Sequence, residues 1–273
     1  MNLAGQHKAE MERLREIVSG LGSTLVAFSG GIDSTLVLKL AHDLLGDRAL
    51  AVTAVSPTFP AVELEWARRL CRDIGVRHLI HNTNQLRDAE FVRNTSVRCY
   101  RCKIDLYSAL VPLAARMGFA FVCDGTQLDD MGDDRPGMRA AQEYGVRSPL
   151  VEARLGKEAV RIAAQGLGLS NWDKPAAACL SSRISRGELI TLDRLKRVED
   201  AEAFLLTEGF RQVRVRDSSG RARVEVGQDE LGRLFQPAIH QRLTLKLLEL
   251  GFKEVMLDPL GYRQRSPSPA GIA

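Results

Sequence analysis

The segment Ser29-Gly30-Gly31-Ile32-Asp33-Ser34 combines two glycines, two hydroxyls and a carboxylate. It stands directly after the apolar run Thr24 to Phe28, where a helical stretch to Leu45 begins. Where a strand runs into a helix, unpaired backbone N–H groups and the positive end of the helix dipole converge, so an anion fits there. The glycines remove Cβ atoms that would hold a phosphate off the backbone, and Ser29 and Ser34 add hydroxyl donors. Asp33 is the odd member, because a carboxylate in a phosphate cradle repels unless it caps the helix or helps hold a cation such as Mg²⁺. The spacing is neither Gly-x-Gly-x-x-Gly nor a Walker A; Gly156-Lys157 has Val151 where the first glycine belongs and Glu158 behind it.

Three of the five cysteines have suggestive positions: Cys99 and Cys102 form a CxxC, and Cys179 precedes Leu180-Ser181-Ser182-Arg183. Three thiolates fall short of a closed tetrahedral zinc site. An iron–sulfur cluster held by three cysteines would keep one iron open for an extra sulfide, as a sulfur-transfer enzyme would need; a redox pair is the competing explanation. Cys71, in an amphipathic stretch, and Cys123, ending an apolar one, suit a core. Arg214 and Arg216 lie two apart in a strand-like run and share a face, where paired guanidiniums could grip a phosphate or simply meet solvent. Lys103, beside the CxxC, could neutralise a cluster or a nucleotide phosphate. Asp124-Gly125-Thr126 follows a strand end, the place where open α/β sheets bind ligands.

These residues need a scaffold that brings strand ends together. Apolar runs at 24–28, 49–55, 77–81 and 119–123 alternate with helical patterns at 34–45, 61–74 and 103–117, after a lead-in helix over 8–18. Such alternation predicts an α/β fold, a doubly wound parallel sheet with helices on both faces. A further helix is expected over 157–166. From Gly187 the pattern changes: helices at 192–206 and 238–250, and strands at 212–216, 223–226 and 253–257, with a turn around Ser218-Ser219-Gly220. The expected organisation is a nucleotide domain over 1–187, a small α+β domain over 188–262 and a disordered tail over 263–273.

The chain of 273 residues is 45% hydrophobic and 26% charged, the balance of an ordinary globular protein. It has no apolar run of about 18 residues that could span a bilayer, and its first residues lack the apolar core of a secretory signal, so a cytoplasmic location is expected. A formal charge of +4, with both signs interspersed, argues against nucleic acid as a partner and suits small anions.

SGGIDS after an apolar strand resembles the PP-loop ATP pyrophosphatases, which cleave ATP to AMP and pyrophosphate. That resemblance implies that the loop holds departing pyrophosphate. The order SGGIDSTLVLK, RCYRCK, DGTQLDD, RPGMRAA, NWDKPAAACLSSR and VRVR is similar to the LarE sulfurtransferases of nickel-pincer nucleotide biosynthesis along nearly the whole chain. It implies ATP, Mg²⁺ and a [4Fe-4S] cluster as cofactors, and adenylation of a carboxylate on a nicotinate-derived mononucleotide followed by displacement of AMP by sulfur. By the same resemblance Ser29, Gly30, Gly31, Asp33, Ser34, Asp124, Gly125 and Thr126 bind ATP, and Arg214 and Arg216 bind the substrate phosphate. Cys179, Asp33, Ser182 and Arg183 fall at catalytic positions, and Cys99, Cys102 and Cys179 hold the cluster.

A second type in that family sacrifices one cysteine, at a position occupied here by Ala178, which favours the cluster type. Glu202 and Glu225 match metal-binding acids of the sacrificial type, but Arg233 replaces the third. The resemblance also implies a sulfide or other sulfur donor and a homo-oligomer, with a hexamer among the candidates. The rival expectations are tRNA thiolation or ATP-dependent amidation by another PP-loop enzyme, and a nucleotide-binding iron–sulfur protein without catalysis.

Overall fold

The structure, a computed structural model, describes residues 3–131, 136–175 and 178–263. The expected disordered tail, past residue 263, lies outside the described residues. Two compact units divide the chain, Met1–Ala178 and Cys179–Ala273. The division precedes the expected boundary at 187/188 because the turn Leu180–Arg183 is fastened to the second unit: Arg183 pairs with Glu202, and Ile184 bridges to Asp217.

The first unit runs α1 (Leu3–Gly20), β1 (Thr24–Ala27), α2 (Ile32–Leu45), β2 (Ala49–Val55), α3 (Ala61–Ile74) and β3 (His78–Asn82). It continues through α4 (Ala89–Val92), α5 (Arg98–Arg116), β4 (Phe121–Cys123), α6 (Pro136–Glu143), α7 (Pro149–Glu152) and α8 (Lys157–Gly166). All pairings in its sheet are parallel, in the order β3-β2-β1-β4. Successive β1 residues point to opposite faces. Val26 joins a core with Leu14, Leu36, Leu40 and Leu70, while Leu25 joins a second core with Tyr107, Leu110 and Val122. Both faces are therefore covered, as expected for a parallel sheet.

The chain leaves β1 toward β2 and β3 on one side and returns to β4 on the other, which makes the carboxyl ends of β1 and β4 a topological switch point. The glycine loop follows β1, and Asp124-Gly125-Thr126 follows β4, so the two segments meet there. Most element bounds lie within a few residues of the sequence expectation. The main departure is α5, which begins at Arg98 rather than 103. Arg98 N–H already bonds Thr95 O, and Arg101 N–H bonds Val97 O, so the CxxC lies inside the helix and its two thiols share a face.

The second unit contains α9 (Leu192–Thr207), β5 (Val213–Ser218), β6 (Arg221–Val226), α10 (Leu231–Leu234), α11 (Pro237–Glu249) and β7 (Glu254–Leu257). β5 and β6 form an antiparallel hairpin, and β7 adds in parallel to β6. The two hairpin turn residues, Ser219 and Gly220, have φ of 51° and 84°, the left-handed pair that matches strand twist. Thr191 caps α9 by accepting Arg194 N–H at 3.3 Å. On the covered face of β5, fully buried Asp217 accepts from Arg194 at 3.0 Å and Arg197 at 2.5 Å, both on α9, and from Gly220 N–H at 3.0 Å. Burial raises its pKa, but the two guanidiniums outweigh this and hold the carboxyl below its ordinary range. One carboxylate thus fastens helix, strand and turn together.

Candidate functional site

In the first unit the glycine loop is held by its own hydroxyls. Ser29 N–H donates to Ser34 Oγ at 3.3 Å, and Gly31 N–H donates to Ser29 Oγ at 3.3 Å. Ser34 Oγ and Thr35 Oγ1 both donate to Gly31 O, at 3.1 and 2.8 Å. Gly31 is the N-cap residue of α2 and offers no side chain to its opening N–H groups, which suits them to an external anion. Gly30 has φ of 74°, and an added Cβ would touch Ala67 at 3.4 Å. The left-handed φ restricts this position to glycine, while the 3.4 Å approach to Ala67 is ordinary contact.

Asp33 sits at this helix start with Oδ1 buried and without a partner among the described residues. Burial and the neighbouring Asp130 raise its pKa from 3.8 to about 6, against the pull of Lys157 and Arg161. A carboxylate so placed, desolvated and under-satisfied, fits a cation and the phosphates that a cation accompanies.

Asp124 faces the loop from β4 in a different state, because donors fill its oxygens. Tyr107 OH and Thr126 Oγ1 donate to Oδ2, both at 2.6 Å, while Ser148 Oγ and Thr126 N–H donate to Oδ1 at 2.8 and 3.1 Å. Lys103 Nζ lies 3.5 Å away and also bonds Tyr107 OH at 3.0 Å. Burial raises the Asp124 pKa, yet Lys103 and the hydroxyls hold it below its ordinary value. Lys103 in turn is raised above its ordinary value despite desolvation, chiefly by Asp124 and Tyr107, with a contribution from Cys102. The next residue, Gly125, approaches the start of α2 so closely that an added Cβ would lie 2.5 Å from Ser34 N and 2.8 Å from Ser34 Cα. The β4 turn and the glycine loop are thus in backbone contact.

Cys99 is exposed and Cys102 half-buried, on the first turns of α5. A polar cavity of about 780 Å³ opens beside the same helix, lined by Asn82, Thr83, Arg87, Asp88, Arg101 and Asp105. It lies at the β3 edge rather than at the switch point.

In the second unit, half-buried Cys179 places Sγ 2.9 Å from Ser181 Oγ. Arg183 is only 3% exposed and forks onto Glu202, Nε to Oε1 at 2.9 Å and Nη2 to Oε2 at 3.0 Å. Its Nη1 donates to Cys179 O at 3.0 Å and Ser182 Oγ at 3.2 Å, so one guanidinium shapes the turn that carries the thiol. Arg214 and Arg216 do share a face of β5. Arg216 forks onto Glu225 at 2.5 and 2.9 Å, and Arg214 lies over the Tyr262 ring with Nη1 on Val213 O at 2.8 Å. Burial and the Arg183 charge lower the Arg214 pKa from its ordinary value, marking a locally positive, desolvated surface.

A family model described as asparagine synthase matches residues 21–101, the segment holding the glycine loop and the first CxxC residue. A Synechocystis protein described as uncharacterized is 43% identical over 256 residues, 94% of this chain and 96% of its own length. An uncharacterized protein of Methanocaldococcus jannaschii is 28% identical over 239 residues, 88% of this chain and 90% of its own. The pyridinium-3,5-bisthiocarboxylic acid mononucleotide synthase of Lactiplantibacillus plantarum is 41% identical over 239 residues, 87% of this chain and 86% of its own. The chain belongs to this LarE family. LarE proteins are ATP-using sulfurtransferases built on the PP-loop fold.

For a LarE chain, the structure gathers Ser29, Gly30, Gly31, Asp33, Ser34, Gly125 and Thr126 at one end of the sheet. Asp124 is there too, but with its oxygens spent on the turn. Ser182, Arg183, Arg214 and Cys179 cluster in the second unit, together with Glu202, whose Oε1 also accepts Val215 N–H at 3.0 Å. Glu225 is shared between Arg216 and Arg223, the latter at 3.1 Å, and Arg233 bonds Gly209 O at 3.2 Å. Among the described residues no group of three or more His, Cys, Asp or Glu is arranged to hold a metal ion. No helix among them is long and apolar enough to cross a membrane.

Sequence reasoning missed Tyr107, Ser148 and the side-chain role of Asn171. Tyr107 stands four residues after Lys103, a helical spacing that could have revealed the pair. Asn171 opens the quoted run NWDKPAAACLSSR, but neither its spacing nor that of Ser148 shows the partner it meets.

Proposed function

We propose that this chain uses ATP to adenylate the carboxylates of a pyridinium dicarboxylate mononucleotide and converts them to thiocarboxylates, a step toward a nickel-pincer nucleotide. The observation that carries this reading is the paired cradle at the switch point, where uncapped N–H groups of the α2 start face the β4 turn across Gly125. A loop of this kind grips the two outer phosphates of ATP, so the bond that breaks is the one to the innermost phosphorus. A substrate carboxylate oxygen attacks that phosphorus, pyrophosphate leaves, and the acyl adenylate forms. Sulfide then attacks the carbonyl carbon and AMP departs with the former carboxylate oxygen, with no net change of oxidation state.

Fixed N–H donors and the hydroxyls of Ser29 and Ser34 stabilise the charge developing on pyrophosphate without reorganising. Asp33, with its unpartnered oxygen, is the residue fitted to Mg²⁺, which when bound neutralises that charge. Asp124 positions Gly125 and Thr126 against the nucleotide. Arg214 and Arg216 receive the substrate phosphate, and Arg183 holds Ser182 and Cys179 in place beside it.

The donor chemistry of Cys99, Cys102 and Cys179, three cysteines that form no disulfide and are not deeply buried, fits a [4Fe-4S] cluster. Such a cluster, when bound, offers one iron without a cysteine ligand and thereby a place for a transferable sulfide. The same reading carries a cytoplasmic homo-oligomer and an external sulfur donor.

The test is anaerobic incubation of the full chain with ATP, Mg²⁺, sulfide and the dicarboxylate mononucleotide. AMP, pyrophosphate and a product in which sulfur replaces oxygen are expected. Formation of ADP and orthophosphate, or absence of ATP binding, overturns the reading.

A further inference from the structure

Asn171 lies 141 residues from the glycine loop in sequence and has only 1% of its surface exposed. Its Nδ2 donates to Gly30 O at 3.1 Å and to Thr35 Oγ1 at 2.9 Å. The orientation of this amide is forced. Gly30 O can only accept, and the Thr35 hydroxyl spends its proton on Gly31 O at 2.8 Å, so both neighbours need a donor. Asn171 Oδ1 has no partner among the described residues, and the amide keeps this orientation nonetheless.

The carbonyls of the two loop glycines are therefore both captured from behind, Gly30 O by Asn171 and Gly31 O by Thr35 and Ser34. A glycine pair has little steric resistance to a peptide flip. A flip at either position would turn a carbonyl dipole toward the anion and break a bond of the loop, Gly31 N–H to Ser29 Oγ at the first peptide and Thr35 N–H to Gly31 O at the second. We infer that Asn171 is a positioning residue for the pyrophosphate cradle, holding the Gly30 and Gly31 carbonyls turned away from the anion. Thr35 is the relay through which its second N–H reaches Gly31. This inference rests on the proposed function and adds a residue to that same site.

The experiment uses the full chain and two probes, Mg²⁺ with pyrophosphate and AMP alone, each titrated by calorimetry. Asn171→Leu keeps the volume and removes both donors. Thr35→Val keeps the shape and removes only the relay hydroxyl, so it remains informative if Asn171→Leu does not fold. Each lost hydrogen-bond capture should weaken pyrophosphate by roughly tenfold, with AMP affinity changed less than about twofold because AMP does not occupy the cradle. The double variant should lose little more than Asn171→Leu alone, because the two side chains act in one chain of bonds. Equal weakening of both probes would reduce Asn171 to a general structural role, and unchanged pyrophosphate binding in Thr35→Val and Asn171→Leu would overturn the inference. Failure of the wild-type chain to bind pyrophosphate would instead refute the proposed function.

Discussion

Gly125→Ala should disable the nucleotide site while leaving the protein folded. The added methyl carbon would stand 2.5 Å from Ser34 N, 2.8 Å from Ser34 Cα and 3.0 Å from the Asp33 carbonyl carbon. All three are backbone atoms, so no side chain can rotate away. Carbon reaches comfortable contact at about 3.5 Å, so the β4 turn and the start of α2 must separate by about 1 Å. Displacements of that size at a reacting centre cost on the order of 100-fold in rate. Gly166→Ala, where nothing lies within 4 Å of the added carbon, is the matched control. The assay is AMP and pyrophosphate formation under saturating ATP, with a thermal melt on each variant. Turnover by Gly125→Ala within about twofold of the control would refute the claim that the two loops must touch.

Three further outcomes are expected. Glu202→Gln leaves the 3%-exposed Arg183 without its carboxylate, and breaking such a buried pair should cost about 3–5 kcal/mol in denaturant unfolding of the full chain. Because folding raises the Asp33 pKa from 3.8 to about 6, the folded state binds more protons than the unfolded one between those pH values, and stability falls as pH rises through that window. Asp33→Asn should therefore be more stable than wild type at pH 7, by about 3 kcal/mol at most. That gain should disappear below pH about 4, while Mg²⁺-dependent ATP binding is lost at every pH. Cys99→Ala, Cys102→Ala and Cys179→Ala should each lower the iron content of anaerobically prepared protein; iron retained in all three would remove the cluster from the mechanism.

The parallel sheet and the glycine loop were legible because their signals are local. An apolar run of strand length, two glycines and an amphipathic stretch state both the element and its polarity within about 20 residues. Ser219-Gly220 announced the hairpin for the same reason. The short helices α4, α6 and α7 were not visible, because at four to eight residues they complete too few turns for periodicity to emerge. The start of α5 was misplaced because Val97 and Arg98 have no capping side chain to announce it. At the site, residue types identified Asp33 and Asp124 but not their opposite conditions. The saturation of Asp124 depends on Tyr107 and Ser148, and the isolation of Asp33 depends on burial, neither of which spacing encodes. Arg183 illustrates the same gap: its position was noted, but its partner Glu202 lies 19 residues away on another element.

That contrast between the two aspartates bears on what a synthetic nucleotide mimic could exploit. Asp124 already has a donor at every useful direction, so a cationic substituent aimed at it would have to displace an internal hydrogen bond. Asp33 offers an oxygen without a partner among the described residues. An amine or amidine placed to reach it would meet a carboxyl whose pKa is raised to about 6, so such a compound should gain affinity as the pH rises through that value toward neutrality.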